Sequence, residues 1–269
     1  MHSHTINLGK FKKELTLTGV IKKTKFSEVY ECKYHDKEAI LKIKKNKLFE
    51  NDISQENVFA SQLVEKDLAP KILAYDHKNN LTIYVKHIGT SAPADPDKIF
   101  LEKCAQKLSC LHKLPIDSIH YEPFLLKVKK YEETIGSKSL DGLCKKALDF
   151  IYSLTEETDN LVLCHNDLNV TNILYFDDVV FIDWDYAAIN HPYYDLATLF
   201  NALQLTKKEQ DYFSSIYKQA HGNIDYDLLD LYKKMPLFVE YLWIIAAKLE
   251  YHSIFKVRYN ELKRQLLSF

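Results

Sequence analysis

Within the first 90 residues, apolar and polar positions alternate over short runs. Tyr30, Cys32 and Tyr34, for example, are separated by polar residues. Alternation of this kind is typical of half-buried β-strands. It predicts five strands, of which the first three form an antiparallel set, at residues 15–18, 28–34, 38–43, 71–76 and 81–88. Between the third and fourth strands, apolar residues at helical spacing predict a helix over 53–65.

From residue 98 onward the apolar spacing becomes helical, as in the pair Phe100 and Cys104. The spacing predicts helices at 99–114, 122–134, 140–154, 193–205, 207–220, 225–233 and 236–266. Three β-like runs interrupt them, at 161–164, 172–176 and 179–182. One glycine and two prolines cluster over 89–96, between the β-rich and helical regions. We therefore expect an N-terminal lobe at 1–88 and a C-terminal lobe at 89–269.

The composition is that of a soluble globular protein and narrows the choice of partners. The chain has 269 residues and a net charge of −1, with 46% hydrophobic and 27% charged residues. This charge gives no electrostatic reason to expect nucleic acid as a partner. Five cysteines without a C-x-x-C pair argue against a disulfide framework or a zinc site. Because no apolar run approaches about 18 residues, we expect a cytoplasmic protein with no membrane span.

One motif carries recognisable chemistry. It reads H-x-D-x-x-x-x-N at His165, Asp167 and Asn172, and Asp183 follows at the end of a predicted strand. Phosphoryl transfer needs one carboxylate to accept the proton of the attacking hydroxyl. It also needs an amide oxygen and a second carboxylate to hold Mg²⁺ against the nucleotide phosphates. A lone H-x-D is common in turns and could belong to a zinc site, but no third zinc ligand recurs nearby. The complete set predicts a kinase.

The sequence around this motif resembles the aminoglycoside phosphotransferase/choline kinase family of small-molecule kinases. The resemblance is carried by HNDLNVTNIL at 165–174, IDWDYA at 182–187 and NHPYYDLA at 190–197. It implies an α+β, bilobal protein-kinase-like fold, with a small antiparallel β-sheet N-lobe and a larger, mainly helical C-lobe. It also implies ATP and Mg²⁺ as cofactors.

By matching position, the resemblance makes Asp167 the catalytic base and makes Asn172 and Asp183 the Mg²⁺ ligands. Asp195 would brace the catalytic loop from the following helix. Protein kinases fit less well, because Asn169 stands where they carry a lysine. Their D-F-G is replaced by D-W-D, and an A-P-E motif is absent from the sequence.

The predicted N-terminal lobe agrees with the same family. Lys42 lies where the lysine that binds the nucleotide phosphates is expected, and Glu56 on the next predicted helix could pair with it. In so lysine-rich a chain, both could equally be surface charges. The loop over the phosphates would span residues 19–29, which contain one of the 6 glycines of the chain. Thr24 and Ser27 would therefore donate hydroxyl and backbone N–H groups to the phosphates.

Three aromatic residues match positions that bind choline in choline kinases. Tyr186 follows I-D-W-D, with Asp185 in place of the usual glutamate, and Trp243 and Tyr259 come later in the chain. A quaternary ammonium group is best held by aromatic faces and a nearby carboxylate, so Asp185 and Glu240 are expected at the acceptor site with these rings. Aromatic residues at helical spacing are also typical of a helical core. Glu240 occupies the place of a second tryptophan. A glutamate there would suit a primary or secondary ammonium, such as ethanolamine, better than choline, and it could equally face solvent.

The sequence thus predicts an ATP- and Mg²⁺-dependent kinase that phosphorylates the hydroxyl of a small cationic alcohol, with choline as the first choice. Ethanolamine kinase, thiamine kinase and aminoglycoside phosphotransferase are alternatives of the same class. An aminoglycoside site would be lined with acids rather than aromatic rings. A catalytically inactive nucleotide-binding scaffold is the alternative from another class, and the presence of a base, two metal ligands and a lysine counts against it.

Overall fold

The N-terminal part of the chain is an antiparallel five-stranded sheet. The computed structural model describes residues 7–45, 62–116, 121–137, 140–155, 159–249 and 252–269. Strand order is β1-β2-β3-β5-β4, with β1 (Leu15–Lys23), β2 (Ser27–Tyr34), β3 (Lys37–Lys44), β4 (Ile72–Asp76) and β5 (Leu81–Val85). All five predicted strands are confirmed. The first is longer than predicted, because its pairing with β2 continues as far as Lys23 opposite Glu28.

Strand β3 presents two different faces. Ala39 and Leu41 are fully buried in a small apolar cluster together with Tyr30 of β2. Ile40 and Lys42 alternate with them and therefore lie on the opposite face, where both line a cavity. The sheet thus has one face that packs and one that forms the wall of a cleft.

The C-terminal part is mainly helical, which confirms the α+β fold. Its described helices are α1 (Lys98–His112), α2 (Phe124–Ile135), α3 (Gly142–Thr155), α4 (Pro192–Ala202), α5 (Lys207–His221), α6 (Tyr226–Tyr232), α7 (Met235–Ala246) and α8 (Ser253–Leu267). Helices α2, α3 and α8 pack on α7, and α1 packs against α5.

The single helix predicted over 236–266 is wrong, because the structure divides it into α7 and α8. Helix α7 ends in a Schellman motif. Lys248 adopts a left-handed φ of 55°, its N–H donates to the Ile245 carbonyl, and the Leu249 N–H donates to the Ile244 carbonyl. The left-handed residue that ends a helix in this way is usually glycine. Because a lysine takes this position here, the helix end could not be predicted from the sequence.

Short strands between α3 and α4 hold the two segments that carry the motif. β7 (Val162–Cys164) pairs with β10 (Ala188–Asn190), and β8 (Ile173–Tyr175) pairs with β6 (Thr90–Ser91) and with β9 (Val179–Phe181). The connection from β7 to β8 contains His165 and Asp167, and the connection from β9 to β10 contains Asp183. The antiparallel pairings bring these two connections together.

Two further predictions concern the ends and boundaries of elements. The helix predicted over 53–65 lies mostly outside the described residues, and residues 62–65, which are described, are helical. The lobe boundary at residues 88 and 89 stays a prediction. Within the described residues, no helix combines the length and the apolar character needed to cross a membrane.

Candidate active site

The loop that follows β7 is hydrogen-bonded to the side chain of Asp195 of α4. The carboxylate of Asp195 is fully buried and accepts the backbone N–H groups of His165 at 2.7 Å and Asn166 at 2.8 Å. His191 caps the start of α4 and Pro192 is its first residue, so Asp195 comes in the first turn. This confirms the predicted bracing contact. His112 of α1, which the sequence did not single out, adds a third contact, with its Nε2 3.2 Å from the carboxylate.

His165 joins this loop to the end of β9. Its Nε2 lies 3.0 Å from the Ile182 carbonyl oxygen, and its Nδ1 accepts the N–H of Asp167 at 3.3 Å. A carbonyl can only accept, so the hydrogen of the ring is on Nε2. Burial lowers the pKa of His165, which agrees with this neutral form. The histidine of the motif therefore orients the backbone on both sides of the site.

Asp167 lies at the centre of the site and is hydrogen-bonded by two amides. The Asn172 side-chain amide donates to Oδ2 at 2.7 Å, and that of Asn169 donates to Oδ1 at 3.1 Å. Burial, with a contribution from the nearby charge of Asp183, raises the pKa of Asp167 from 3.8 to about 7, against the opposing effect of these hydrogen bonds. A carboxylate with a pKa near neutrality can take up a proton from a hydroxyl during a reaction.

Asp183 and Lys42 come from distant parts of the chain and meet in the site. Asp183 follows β9 with a left-handed φ of 67° and precedes the short 3-10 turn Trp184–Tyr186. The Lys42 ammonium is 2.5 Å from Oδ1 of Asp183 and 2.6 Å from Oδ2 of Asp185. Positive φ in an aspartate is uncommon, and here it places the carboxylate toward the cleft side of the sheet.

Asp185 was predicted to bind the acceptor, and the structure places it elsewhere. Its side chain is 7% exposed and lies between two lysines of β3, with Lys42 on Oδ2 and the Lys44 ammonium 2.7 Å from Oδ1. Two positive charges account for its burial, since a buried carboxylate requires such partners. Asp185 is therefore held against the five-stranded sheet by Lys42 and Lys44. Lys44 was missed, although the alternation of Ile40, Lys42 and Lys44 on one strand face contained the signal.

A cavity of about 520 Å³ lies between the sheet and the loops of the site. Lys42, Asn172 and Asp183 line it. The rest of the lining comes mainly from residues 84–87 and 89 and from apolar side chains of the sheet and of the β8–β9 segment, including Val29, Ile40, Ile72, Leu174 and Ile182. An apolar slot with a few polar groups at one end suits a nucleotide.

The turn between β1 and β2 contains Thr24 and Ser27. The Thr24 hydroxyl accepts the N–H of Phe26 at 3.1 Å and of Ser27 at 2.9 Å, and it lies 3.1 Å from the Ser27 carbonyl. The hydroxyl is thus engaged in closing the turn. Glu56, predicted as a partner of Lys42, lies outside the described residues.

A second cavity, of about 930 Å³, lies beside Asp167. Tyr186 and Trp243 line it together with Asp167. The indole N–H of Trp243 donates to the Tyr186 hydroxyl at 3.0 Å, which fixes the two aromatic side chains relative to each other. Two of the three aromatic residues expected at the acceptor site therefore share one cavity with Asp167.

Of the other two residues expected at the acceptor site, Glu240 lies on the cavity and Tyr259 does not. Glu240 lines the cavity, but Arg258 of α8 binds its carboxylate in a bidentate pair, at 2.8 Å and 2.6 Å. Tyr259 is stacked on Tyr241 with ring centroids 5.6 Å apart, because its position on α8 faces α7. The structure does not bring Tyr259 into the cavity with Asp167.

Asn172 and Asp183 have the atoms needed for a magnesium ion. The amide nitrogen of Asn172 is used by Asp167, which leaves its oxygen as the ligand atom. Asp183 adds a carboxylate on the same cavity. Oxygen ligands of these two kinds are those that Mg²⁺ prefers, so the residues present fit the ion.

Comparison with known proteins agrees with this geometry. The profile of the phosphotransferase enzyme family matches residues 24–232, which is most of the chain. The chain belongs to this family. It is a small-molecule kinase, and both cavities described above lie largely within the matched region.

Named relatives extend the comparison. Protein LicA of Haemophilus influenzae is 42% identical over 96 residues, or 33% of this chain and 28% of that protein. Choline kinase LicA from Streptococcus pneumoniae has a similar structure, with a TM-score of 0.75 and 21% identity over 95% of this chain and 93% of that one. Plasmodium vivax ethanolamine kinase also has a similar structure, with a TM-score of 0.71 and 17% identity over 92% of this chain and 80% of that one. At sequence identities this low, the likeness to these two structures shows a shared fold.

Proposed function

We propose that this phosphotransferase transfers the γ-phosphoryl group of ATP to the hydroxyl of choline. The observation that carries the proposal is that Asp167, Tyr186 and Trp243 line one cavity. A trimethylammonium group has no hydrogen-bond donor and is attracted to aromatic faces. An alcohol bound against the two rings would extend its hydroxyl toward the carboxylate. The structural likeness to choline kinase LicA supports the same assignment.

In the proposed reaction, Asp167 accepts the proton of the choline hydroxyl. The choline oxygen forms a bond to the γ-phosphorus, the bond from that phosphorus to the bridging oxygen breaks, and ADP leaves with the electron pair. Asn169 and Asn172 hold the two oxygens of Asp167 by hydrogen bonds. They thereby orient the carboxylate toward the hydroxyl.

The nucleotide would bind in the cavity of about 520 Å³, with its phosphates toward Lys42. Asn172 and Asp183 would hold Mg²⁺, which supplies positive charge beside the phosphates. Lys42 would contribute its ammonium to the same end of the cavity, and Lys44 would continue to neutralise Asp185. We keep residues 1–88 as the nucleotide-binding lobe and 89–269 as the catalytic and acceptor-binding lobe of this proposal.

The charges around the second cavity favour choline over the alternative acceptors. Its acidic side chains Asp167 and Glu240 are matched by the basic side chains Lys127 and Arg258. Glu240 is neutralised by its bidentate pair with Arg258, so it provides little attraction for the primary ammonium of ethanolamine. An aminoglycoside carries several ammonium groups and would need more acids than this cavity offers. Aromatic faces are the cation-binding feature that remains.

An assay of ADP release tests the proposal over choline, ethanolamine, thiamine and kanamycin. We expect choline to have the highest kcat/KM. Trp243→Ala should raise the KM for choline about tenfold or more, because a desolvated cation–aromatic contact is worth about 2 kcal/mol, and should change the KM for ATP less than that for choline. Phe176→Ala serves as the matched control, because Phe176 is 62% exposed in the β8–β9 turn. A preference for another acceptor, or equal effects on both KM values, would refute the assignment.

A further inference from the structure

The turn between β1 and β2 is closed by its own hydrogen bonds and carries a phenylalanine at its tip. Backbone and hydroxyl groups of Thr24 and Ser27 bond to each other across it. The Phe26 carbonyl accepts the N–H of Lys45 at 2.7 Å. These bonds hold the backbone of the tip in place relative to the sheet and set the direction of the Phe26 side chain.

Phe26 packs on the aromatic wall of the second cavity. Its ring centroid is 5.3 Å from that of Trp243, at an interplanar angle of 46°. This distance lies in the range of favourable aromatic pairs. Most buried apolar side chains of the sheet form their own cluster, whereas Phe26 packs against the cluster of the helical part. Phe26, which lies in the β1–β2 turn, therefore packs against a residue that lines the second cavity.

The strands that carry the turn also line the nucleotide cavity. Ile21 and Lys22 of β1 and Val29 of β2 are part of its wall, a few residues from Phe26. On the other side, Trp243 is hydrogen-bonded to Tyr186. A continuous path of contacts thus runs from the nucleotide cavity through Phe26 and Trp243 to the acceptor cavity.

We propose that Phe26 is a positioning residue that couples the two cavities through Trp243. A nucleotide that fixes the β1–β2 hairpin would then hold the Trp243 ring in its binding orientation. By linkage, an acceptor bound against Trp243 would raise the affinity for nucleotide by the same factor. The identity of the acceptor rests on the proposed function, whereas the contact between Phe26 and Trp243 does not.

A fluorescence titration tests the coupling without turnover. The chain has 2 tryptophans, so Trp184→Phe leaves Trp243 as the sole reporter. We expect Mg²⁺ with a non-hydrolysable ATP analogue to change the emission of Trp243 in this background. Adding Phe26→Ala should remove most of that change at saturating nucleotide, whereas adding Phe176→Ala should leave it intact. An unchanged response in the Phe26→Ala protein, or no response in the background protein, overturns the proposal.

Steady-state kinetics provide the second readout. In the unsubstituted enzyme, we expect saturating acceptor to lower the KM for ATP about fivefold, at the lower end of usual coupling. Phe26→Ala should bring this factor close to one, and Phe26→Leu, which keeps apolar bulk, should restore part of it. If Phe26→Ala retains the full factor, the coupling does not pass through Phe26. If no ammonium alcohol is phosphorylated at all, the proposed function fails, and the fluorescence titration still decides the coupling.

Discussion

Replacing Asp167 by asparagine should strongly lower turnover and, at neutral and higher pH, stabilise the folded protein. The substitution keeps the shape of the side chain and removes its charge. In the wild type, burial and Asp183 raise the pKa of Asp167 to about 7. The unfolded chain loses this proton near pH 3.8, whereas the folded chain keeps it up to about pH 7. Stability contributed by this group therefore falls as pH rises between these values and is level above pH 7.

The size of the effect follows from the shift. One pKa unit corresponds to about 1.4 kcal/mol. Between pH 5 and pH 7 the free energy of unfolding of the wild type should therefore fall by about 2 to 3 kcal/mol, whereas that of the variant should not show this fall. An opposing cost arises because Asn169 and Asn172 both donate to Asp167. An asparagine oxygen accepts one of these bonds, and loss of the other costs about 1 to 3 kcal/mol at every pH. The effect of Asp167 ionisation can thus be recognised by its pH dependence, whereas the cost of the lost hydrogen bond is the same at every pH.

The measurement is urea-induced unfolding at pH 5, 6, 7 and 8.5 with EDTA present, so that divalent cations do not contribute. We expect the free energy of unfolding of Asp167→Asn, minus that of the wild type, to increase by about 2 to 3 kcal/mol from pH 5 to pH 7 and then to level off. Asp177→Asn, which removes an exposed carboxylate in the β8–β9 turn, is the matched control and should give a flat difference.

Activity provides the complementary test of Asp167. Turnover of the variant should fall by roughly a hundredfold to ten-thousandfold, the usual contribution of a general base. The kcat/KM of the wild type should rise with pH as the Asp167 carboxylate, whose pKa is raised by burial, becomes ionised. A stability difference that stays flat between pH 5 and pH 8.5 would refute the raised pKa, and retained turnover would refute the role as base.

Three further substitutions test other parts of the site. Asp183→Ala should lower turnover by roughly a hundredfold and abolish its response to a Mg²⁺ titration, because a charged ligand is lost. Asp195→Ala should lower the free energy of unfolding by on the order of 3 kcal/mol, measured by urea denaturation, because two buried N–H groups of the catalytic loop lose their acceptor. Glu240→Gln should change the KM for choline less than about threefold, because Arg258 already neutralises the carboxylate.

Each of these has a result that contradicts it. An Asp183→Ala enzyme that still responds to Mg²⁺ would mean that the ion is held elsewhere. Wild-type stability in Asp195→Ala would mean that other contacts suffice to hold the loop. A tenfold change in KM for Glu240→Gln would mean that its carboxylate meets the ammonium group directly. Glu133→Gln, on an exposed position of α2, controls for the loss of a glutamate charge from the helical part.

Local patterns along the chain were sufficient for most of the secondary structure. Alternation placed the five strands, and helical spacing placed α1 to α6 to within a few residues. The failure at α7 and α8 has a local cause. With 6 glycines in 269 residues, the chain uses Lys248 in the left-handed conformation where glycine is usual. Glycine does mark the ends of α2 at Gly136 and of α5 at Gly222, so reading helix ends from glycine fails here only where another residue adopts the left-handed conformation.

The sequence by itself determined which side chains could perform phosphoryl transfer, because their spacing around two short strands is a property of the chain order. Asp167, Asn172 and Asp183 needed no tertiary information to be selected. Only the tertiary structure decided which partners they and their neighbours meet. Lys42 reaches Asp183 from 141 residues away, and Lys44 joins it through Asp185. Such pairings depend on how the face of a sheet docks against loops of the helical part, which local patterns do not encode.

The same reason explains the acceptor side. Resemblance selected aromatic and acidic residues on two consecutive helical stretches, but the orientation of α7 against α8 decided their roles. That packing stacks Tyr259 on Tyr241 and joins Glu240 to Arg258. Trp243 of α7 instead meets residues outside these two helices, namely Tyr186 after β9 and Phe26, a residue from the opposite end of the chain. The residue types come from the sequence, and the cavity they enclose comes from the packing of helices whose relative angle no single segment specifies.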